Sequence, residues 1–373
     1  MFFLSYHRMR KLDRIQVENF KSIHNLDLRL NALNVFIGAN GSGKSNFIGL
    51  FKFLNKLIEK HLQVYTGEQG GADSILYYGR KKSDHLSVKL AFAEETNGYE
   101  FILSPTVDDR FIFSDERVLF HDKSRYSHPY SEFLGSGNPE AILPDYAEGR
   151  SSRIARYVIN DLKSWKLYHF HDTSESARVK QTCDIGDNRI FHPDARNLAA
   201  FLYRLKKTNL QHYRNIEDTI RLVAPFFRAF HLESLSLNNQ KIMLEWSEEG
   251  IDRHFNASNL SDGTLRFICL ATLLMQPVLP SVVLLDEPEL GLHPYAITIL
   301  ADLLRAASQQ AQVLVATQSV TLVNQFEPSQ IYVVERKEMQ SIFTHLREAD
   351  IEHWLDEFGL GDLWEKNIFG GRP

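Results

Sequence analysis

The stretch NVFIGANGSGKSN, residues 34–46, places an apolar run, a glycine-rich loop and a helix start in immediate succession. Residues 38–45 match the pattern G-x-x-x-x-G-K-[ST] in full, in the strand–loop–helix context that this pattern requires. Glycines let backbone N–H groups turn toward phosphate oxygens, and the helix N-terminus adds its positive end. The motif therefore predicts a phosphate-binding loop within an α/β domain, where Lys44 reaches the β- and γ-phosphates and Ser45 ligates Mg²⁺.

Two acidic residues end a second apolar run, VVLLDE at residues 282–287. Asp286 fits the role of holding Mg²⁺ directly or through water, and Glu287 fits that of a general base acting on the attacking water. Two carboxylates at a strand end could equally be ordinary loop residues. The phosphate loop earlier in the chain favours the catalytic interpretation.

The sequence LSDGTL at residues 260–265 opens a further helix. A serine before a helix is by itself an ordinary capping residue. Here the acidic strand follows about 21 residues later, which makes the segment a stronger candidate for a functional motif than a capped helix alone.

These stretches, together with IQVENFKSIHNLDLRL at residues 15–30, LLDEPELGLHP and TQS, resemble the RecF/SMC-like branch of the ABC-type ATPases. Within that branch the chain is similar to small bacterial ATPases related to the ATPase half of the overcoming-lysogenisation-defect nucleases. The resemblance covers residues 1–104 and 231–335, and it implies an ATP-sandwich homodimer that needs Mg²⁺. The nucleotide-binding residues that it implies are Asn19, Lys21, Ser22, Gly38, Ala39, Asn40, Gly41, Ser42, Gly43, Lys44, Ser45, Asn46 and, from the opposite subunit, Ser261, Asp262 and Gly263.

Two positions after the acidic strand depart from the pattern of that branch, and a third residue of the pattern has more than one candidate. Gln318 occupies the strand end where a switch histidine is usual; its amide can donate to phosphate but cannot become cationic. We therefore predict slow ATP turnover, with Glu287, Lys44 and Gln318 as the catalytic residues, although Gln318 could merely cap its strand. The loop ELGLHP lacks the usual aspartate, and His293 stands near its place. Gln69, or alternatively Gln63, is the candidate for the glutamine that senses Mg²⁺.

Alternating strand and helix patterns at both ends of the chain predict a mixed α/β fold, split by a largely helical insertion. The predicted division is an N-terminal lobe at residues 1–104, a lid at 105–230, and a C-terminal lobe with an aromatic tail at 231–373. Basic residues of the lid could follow a DNA backbone or simply face solvent: Arg150, Arg153, Arg156, Lys163, Lys166, Arg204, Lys206, Lys207 and Arg214.

Composition limits the remaining choices. A net charge of −5 gives no overall attraction to nucleic acid, so a DNA contact requires a local patch. The two cysteines form no metal-binding or disulfide pattern, which fits the cytoplasm. The apolar segment 267–285 is split by Pro277 and Pro280, so we predict a core helix and strand and no membrane span.

Three functions follow from these patterns. The favoured one is an ATP-dependent switch that acts on DNA or on a separate nuclease or effector, in DNA repair or anti-phage defence. A nucleotide-gated scaffold with negligible turnover and an ATP-binding subunit of a membrane transporter are the alternatives. His169 and His171 in YHFHD could also bind a metal ion, although the sequence offers no further ligands.

Overall fold

A computed structural model describes residues 11–149, 152–355 and 357–372, so Arg150 lies outside the described part of the chain. Its strands are β1 (Leu12–Phe20), β2 (Ile23–Arg29), β3 (Leu33–Ile37), β4 (Leu86–Phe92), β5 (Asn97–Pro105), β6 (Phe111–Phe120), β7 (Tyr130–Gly135), β8 (Trp165–Tyr168), β9 (Cys183–Asp184), β10 (Phe227–His231), β11 (Ser234–Leu235), β12 (Asn238–Ile242), β13 (Glu245–Glu248), β14 (His254–Asn256), β15 (Val282–Asp286), β16 (Gln312–Thr317), β17 (Ile331–Lys337) and β18 (Gln340–His345). Its helices are α1 (Lys44–Ile58), α2 (Leu62–Glu68), α3 (Ala72–Ile75), α4 (Leu143–Glu148), α5 (Arg153–Lys163), α6 (Leu198–Thr208), α7 (Leu210–Val223), α8 (Asp262–Leu274), α9 (Pro294–Ser308), α10 (Val320–Val323), α11 (Glu352–Leu355) and α12 (Leu360–Glu365).

The central sheet has the strand order β18-β17-β3-β16-β15-β8. Strands β17, β3, β16, β15 and β8 pair in parallel, and β18 pairs antiparallel at the edge. Strands β3 and β16 are buried along their whole length, as expected for parallel strands covered on both faces. The carboxyl ends of the parallel strands share one edge, where loops carry functional groups in open α/β sheets. The predicted mixed α/β fold is thus confirmed.

A second sheet is antiparallel, with the order β2-β1-β4-β5-β6-β7. Helix α1 lies between the two sheets, and one apolar core joins their facing side chains to those of the helix. Within it, Phe47 and Phe51 pack edge to face, and Phe51 contacts Trp165 of β8. The antiparallel sheet therefore covers the helix that begins at the glycine-rich loop and fixes its position over the central sheet.

The antiparallel sheet also continues beyond residue 104, where the sequence predicts the first lobe to end. Strand β6 pairs with β5 along its length, and β8 joins the central sheet beside β15. Segments of the predicted insertion therefore complete both sheets. The sequence showed the alternation of apolar and polar residues in 97–120. It did not show that β8 pairs with β15, more than 100 residues later in the chain.

A second apolar core lies on the other face of the central sheet. Helices α6, α7, α8 and α9 supply most of it, together with the inner side chains of the parallel strands. Two small three-stranded sheets, β10-β13-β14 and β11-β12-β9, flank these helices. The aromatic tail joins this core, because Leu363 and Trp364 are fully buried and the indole of Trp364 donates to the carbonyl of Gly371.

No helix in the described ranges is both long enough and apolar enough to cross a bilayer.

Candidate functional site

The loop of residues 38–45 runs from the end of β3 into the start of α1. Gly43 has a φ of 114°, and a β-carbon built there would lie 1.9 Å from the hydroxyl oxygen of Ser341. A β-carbon on Gly38 would lie 2.2 Å from the carbonyl oxygen of Val334. The glycines of the motif are thus required by close packing of the loop against β17 and β18, as well as by its turn.

A chain of polar contacts ties this loop to the turn between β1 and β2. The Ser341 hydroxyl donates to the carbonyl of Ser42 at 2.7 Å and lies 2.7 Å from the Ser22 hydroxyl. The amide of Asn46 donates to the same Ser22 oxygen at 2.7 Å. Ser22 is therefore beside the loop, its contact with nucleotide stays a prediction, and Ser341 is a link that the sequence did not reveal.

Asn19 and Lys21 have φ values of 63° and 49°, which residues other than glycine rarely adopt. Backbone contacts hold this turn, because the Lys21 N–H donates to the Ile75 carbonyl at 2.8 Å and the Tyr77 N–H donates to that of Asn19 at 3.0 Å. The strained turn therefore places the Ser22 side chain toward the loop.

The Lys44 ammonium lies inside the loop. It donates to the Gly38 carbonyl and, at 3.1 Å, to the Ala39 carbonyl, and the residue is 5% exposed. Burial lowers its pKa, while the charges of Glu287, Asp286 and Glu289 oppose that shift. The lysine thus faces the acidic loop that follows β15, although the two segments are more than 200 residues apart in sequence.

Asp286 is the last residue of β15, and Glu287 follows it with a φ of 43°. The Glu287 N–H donates to the Ala316 carbonyl of β16 at 2.8 Å, which anchors the turn. Burial, followed by repulsion from Glu287, raises the pKa of Asp286, and His171 and Lys44 oppose this rise. Two carboxylates and one ammonium group therefore converge at the carboxyl edge of the parallel strands.

Gln318 follows the last residue of β16, and its amide nitrogen donates a hydrogen bond to Oε1 of Glu287. The residue where the sequence predicts a phosphate contact is therefore in direct contact with the predicted general base. A simple cap of the strand end would not require this side-chain bond.

Glu289 was not identified from the sequence as a site residue. It is 7% exposed, accepts a hydrogen bond from the Thr317 hydroxyl, and has its second carboxylate oxygen buried without a partner among the described residues. Burial raises its pKa to about 7. Because Thr317 precedes Gln318, Glu289 ties the acidic loop to the end of β16. The repeated acid in DEPEL was the only sign of it in the sequence.

The histidine segment after β8 also reaches this edge. Strand β8 pairs in parallel with β15, with Tyr168 opposite Leu285, and His171 acts electrostatically on Asp286. The rings of His169 and His171 are 6.0 Å apart, and the described residues contain no group of three metal-ligating side chains that could hold a metal ion alone. His171 therefore belongs to the acidic site and does not form a separate metal site.

The LSDGTL segment forms the N-terminus of α8, where the Ser261 hydroxyl accepts from the Thr264 N–H at 3.2 Å. Ser261 and Asp262 are exposed, and Asp262 lies 3.7 Å from the Lys180 ammonium. A β-carbon on Gly263 would lie 2.4 Å from the Gly291 carbonyl, so the segment packs on the ELGLHP loop. Within the described ranges, no hydrogen bond or ion pair joins it to the glycine-rich loop of the same chain.

Gln69 ends α2 on the other side of the glycine-rich loop. Its side-chain oxygen accepts from the Lys21 ammonium at 3.2 Å. Both residues line a cavity of about 650 Å³ that also contacts Ser22 and Asn46. Among the hydrogen bonds of the described residues, none links Gln69 to Ser45 or Asp286, so its role at Mg²⁺ stays a prediction. Gln63 instead donates to the carbonyls of Phe111 and Pro139.

Together, the parallel sheet, the glycine-rich loop and the acidic strand end give the chain the fold of ABC-type ATPase heads such as those of SMC proteins. Residues 33–324 match the AAA_21 family, described as "AAA domain, putative AbiEii toxin, Type IV TA system". The chain belongs to this family, since the match spans most of its length. Among curated proteins no sequence match is found.

Two solved SMC head domains are similar in structure. The SmcHead bound to the C-terminal winged-helix domain of ScpA has a TM-score of 0.58 at 15% identity, with 91% of this chain and 98% of that chain covered. The Smc head with an extended coiled coil from Pyrococcus furiosus, bound to the C-terminal domain of ScpA, has a TM-score of 0.53 at 15% identity, with 94% and 99% covered. At this identity the similarity establishes the fold alone.

Proposed function

We propose that the protein binds ATP at the glycine-rich loop and hydrolyses it slowly, with Glu287 as general base. The observation that carries this proposal is the convergence of Lys44, Asp286 and Glu287 at one edge of the sheet. A phosphate-binding lysine, a metal-binding carboxylate and a base are the components that phosphoryl transfer to water requires.

In this proposal the loop N–H groups and Lys44 hold the β- and γ-phosphates, and Lys44 exchanges its two loop carbonyls for phosphate oxygens. Glu287 accepts a proton from the water that attacks the γ-phosphorus, while the bond from that phosphorus to the bridging oxygen breaks and ADP leaves. Gln318 keeps the Glu287 carboxylate in place through its amide. A carboxylate held by a neutral donor remains available as a base, but it lacks the assistance of a cationic histidine.

The residues present fit a magnesium ion. Ser45 is exposed at the start of α1, and Asp286 at the facing strand end is a carboxylate whose charge burial disfavours, so a divalent cation would stabilise it. When bound, Mg²⁺ would neutralise negative charge on the phosphates. The cavity beside Ser22 and Asn46 is large enough to take a nucleoside.

We further propose that two copies close around ATP. Ser261 and Gly263 are at a helix N-terminus that, among the described residues, forms no hydrogen bond or ion pair with the phosphate loop of its own chain, so we propose that this helix end serves a second copy. Closing and opening would then transmit the state of the nucleotide to DNA or to a separate nuclease or effector, as in DNA repair or anti-phage defence.

The test compares the wild type with Glu287→Gln in steady-state ATP hydrolysis, ATP binding and sedimentation with ATP and Mg²⁺. We expect Glu287→Gln to lose turnover by about 100-fold or more, because the base is removed while the binding residues remain. ATP affinity should change little, and the variant should accumulate as a dimer. Glu249→Gln, at an exposed position, is the matched control.

Equal turnover in the wild type and in Glu287→Gln would refute the role of Glu287. Intact ATP binding with no turnover in either protein would favour the nucleotide-gated scaffold, for which the Gln318–Glu287 contact would be a permanent lock. A monomer at all ATP concentrations would refute the sandwich.

A further inference from the structure

Helix α5 presents a positively charged face that the ATPase site does not use. Arg153, Arg156 and Lys163 are exposed on it, with Tyr157 and Asn160 between them. We refer to these five residues as the α5 basic face. Arg153, Arg156, Asn160 and Lys163 follow one another at intervals of three or four residues, which places them on one side of the helix, and Tyr157 is next to Arg156. The first and last cations, Arg153 and Lys163, are about 15 Å apart along the helix axis.

The three cations have no partner within the described chain. None of them forms an ion pair or a side-chain hydrogen bond with a described residue, whereas arginines elsewhere, such as Arg80 and Arg117, are paired with aspartates. The one acid of α5, Asp161, is buried at 3% exposure and so is not among the exposed side chains of the helix. The face thus carries a local excess of positive charge in a chain of net charge −5.

The side chains of the α5 basic face fit the phosphates of a nucleic acid better than the surface of an anionic membrane. The aliphatic side chains of α5, including Val158, Ile159 and Leu162, are buried in the core, so the helix has no apolar face to insert into a membrane. Arginine, lysine, tyrosine and asparagine side chains are common donors to nucleic-acid phosphates. Arg153, Arg156, Tyr157 and Asn160 also line a concave surface of about 370 Å³. A duplex, with a phosphate charge per about 1.7 Å of its axis, fits a rigid row of unpaired cations.

The position of α5 connects this face with the nucleotide site. The helix leads through Ser164 into β8, and the Ser164 hydroxyl is hydrogen-bonded to that of Ser281, just before β15. Trp165 packs on Phe51 of α1, with ring centroids 5.3 Å apart. A ligand on α5 would therefore contact the element that supports both the phosphate-loop helix and the acidic strand.

We infer that the α5 basic face binds the phosphate backbone of double-stranded DNA, without reading its sequence. The inference names the partner of the ATPase proposed above and rests on that proposal for its purpose, but the binding itself requires no ATP. It can therefore be tested separately from hydrolysis.

The experiment measures binding of a short fluorescent duplex to the full chain without nucleotide, over a range of salt from about 50 mM upward. The variant Arg153→Glu/Arg156→Glu is compared with Arg189→Glu/Arg228→Glu, which makes the same charge change at exposed positions before α6 and on β10. We expect the α5 variant to bind at least about tenfold more weakly, and the slope of log K against log salt to fall by about 2. The control should bind like the wild type.

A charge-conserving variant, Arg153→Lys/Arg156→Lys, should keep the salt slope and thereby exclude misfolding as the cause. The inference is overturned if the wild type does not bind the duplex at the lowest salt, or if both glutamate variants weaken binding equally. Binding to anionic phosphatidylserine vesicles in place of the duplex would also overturn it. None of these results bears on Glu287, whose variant tests the ATPase independently.

Discussion

The side-chain amide of Gln318 donates a hydrogen bond to Oε1 of Glu287, so the ends of two adjacent parallel strands hold each other. A second hydrogen bond, from the Thr317 hydroxyl at the end of β16 to the Glu289 carboxylate in the acidic loop, joins the same two segments. The carboxylate of Glu287, the predicted base, is therefore oriented by the strand end that the sequence identified only as the place of a missing histidine.

The Gln318 contact predicts a selective loss of chemistry. We expect Gln318→Ala to lower single-turnover ATP hydrolysis by about 10- to 100-fold, because Glu287 loses its donor and its orientation. ATP affinity should stay within about threefold, since Lys44 and the loop remain. Gln318→His, which can donate the same bond, should restore much of the rate. Gln310→Ala, at an exposed position before β16, is the control, and a normal rate in Gln318→Ala would refute the orienting role.

How much of this site the sequence predicts depends on how far apart its residues lie along the chain. Residues 38–45 and Asp286-Glu287 could be predicted as site residues because each motif is short and local, with its own strand context, and their roles stay predictions. Ser341 and Glu289 were not identified as site residues, and His171 was considered only for a separate metal site, because each reaches this edge through a strand pairing or a side-chain contact that no local pattern encodes. The sequence predicted a mixed α/β fold, but it did not predict that β8 pairs with β15 across more than 100 residues.

The prediction that Gln69 senses Mg²⁺ can be tested by comparing Gln69 with His171, whose charge acts on the predicted metal ligand Asp286. The Gln69 side chain accepts a hydrogen bond from Lys21, whereas the charge of His171 lowers the pKa of Asp286 against the effect of burial. We expect His171→Ala to raise the Mg²⁺ concentration required for tight ATP binding by about tenfold, because a residue that supports a metal ligand is lost. Gln69→Ala should change it by less than about twofold. The measurement is ATP affinity against Mg²⁺ concentration, with binding in EDTA as the baseline; the opposite ranking would restore the Gln69 prediction.

Glu289 gives the stability of the protein a distinctive pH dependence. Burial raises its pKa from 4.5 to about 7, so the folded state holds a proton that the unfolded state has released. The stabilisation is complete below pH 4.5 and is lost as the pH rises through about 7, a change of about 3 kcal/mol. We expect Glu289→Gln to remove this decline in the free energy of unfolding.

Denaturant unfolding at about pH 5 and about pH 8 measures this effect. Relative to the wild type, Glu289→Gln should gain stability at the higher pH, while Glu249→Gln at an exposed position should show no such gain. Parallel curves for Glu289→Gln and the wild type would show that Glu289 is ionised throughout this range in the folded protein.

Two glycines of the phosphate loop should differ sharply in their tolerance of a methyl group. Gly43 has a φ of 114°, and its β-carbon would lie 1.9 Å from the Ser341 hydroxyl, whereas Gly41 has a φ of 78° and open space around it. We expect Gly43→Ala to destabilise the protein by about 3 kcal/mol through strain and collision, and Gly41→Ala by about 1 kcal/mol through strain alone. Gly43→Ala should also abolish ATP binding, because relieving the collision moves Ser341 away from Ser22 and the Ser42 carbonyl.

Denaturant unfolding and ATP titration of both variants test this, with the double variant Gly43→Ala/Ser341→Gly as the decisive case. Removing the Ser341 side chain clears the collision, so the double variant should recover part of the stability. If it is no more stable than Gly43→Ala alone, backbone strain and not packing against β18 determines the need for glycine.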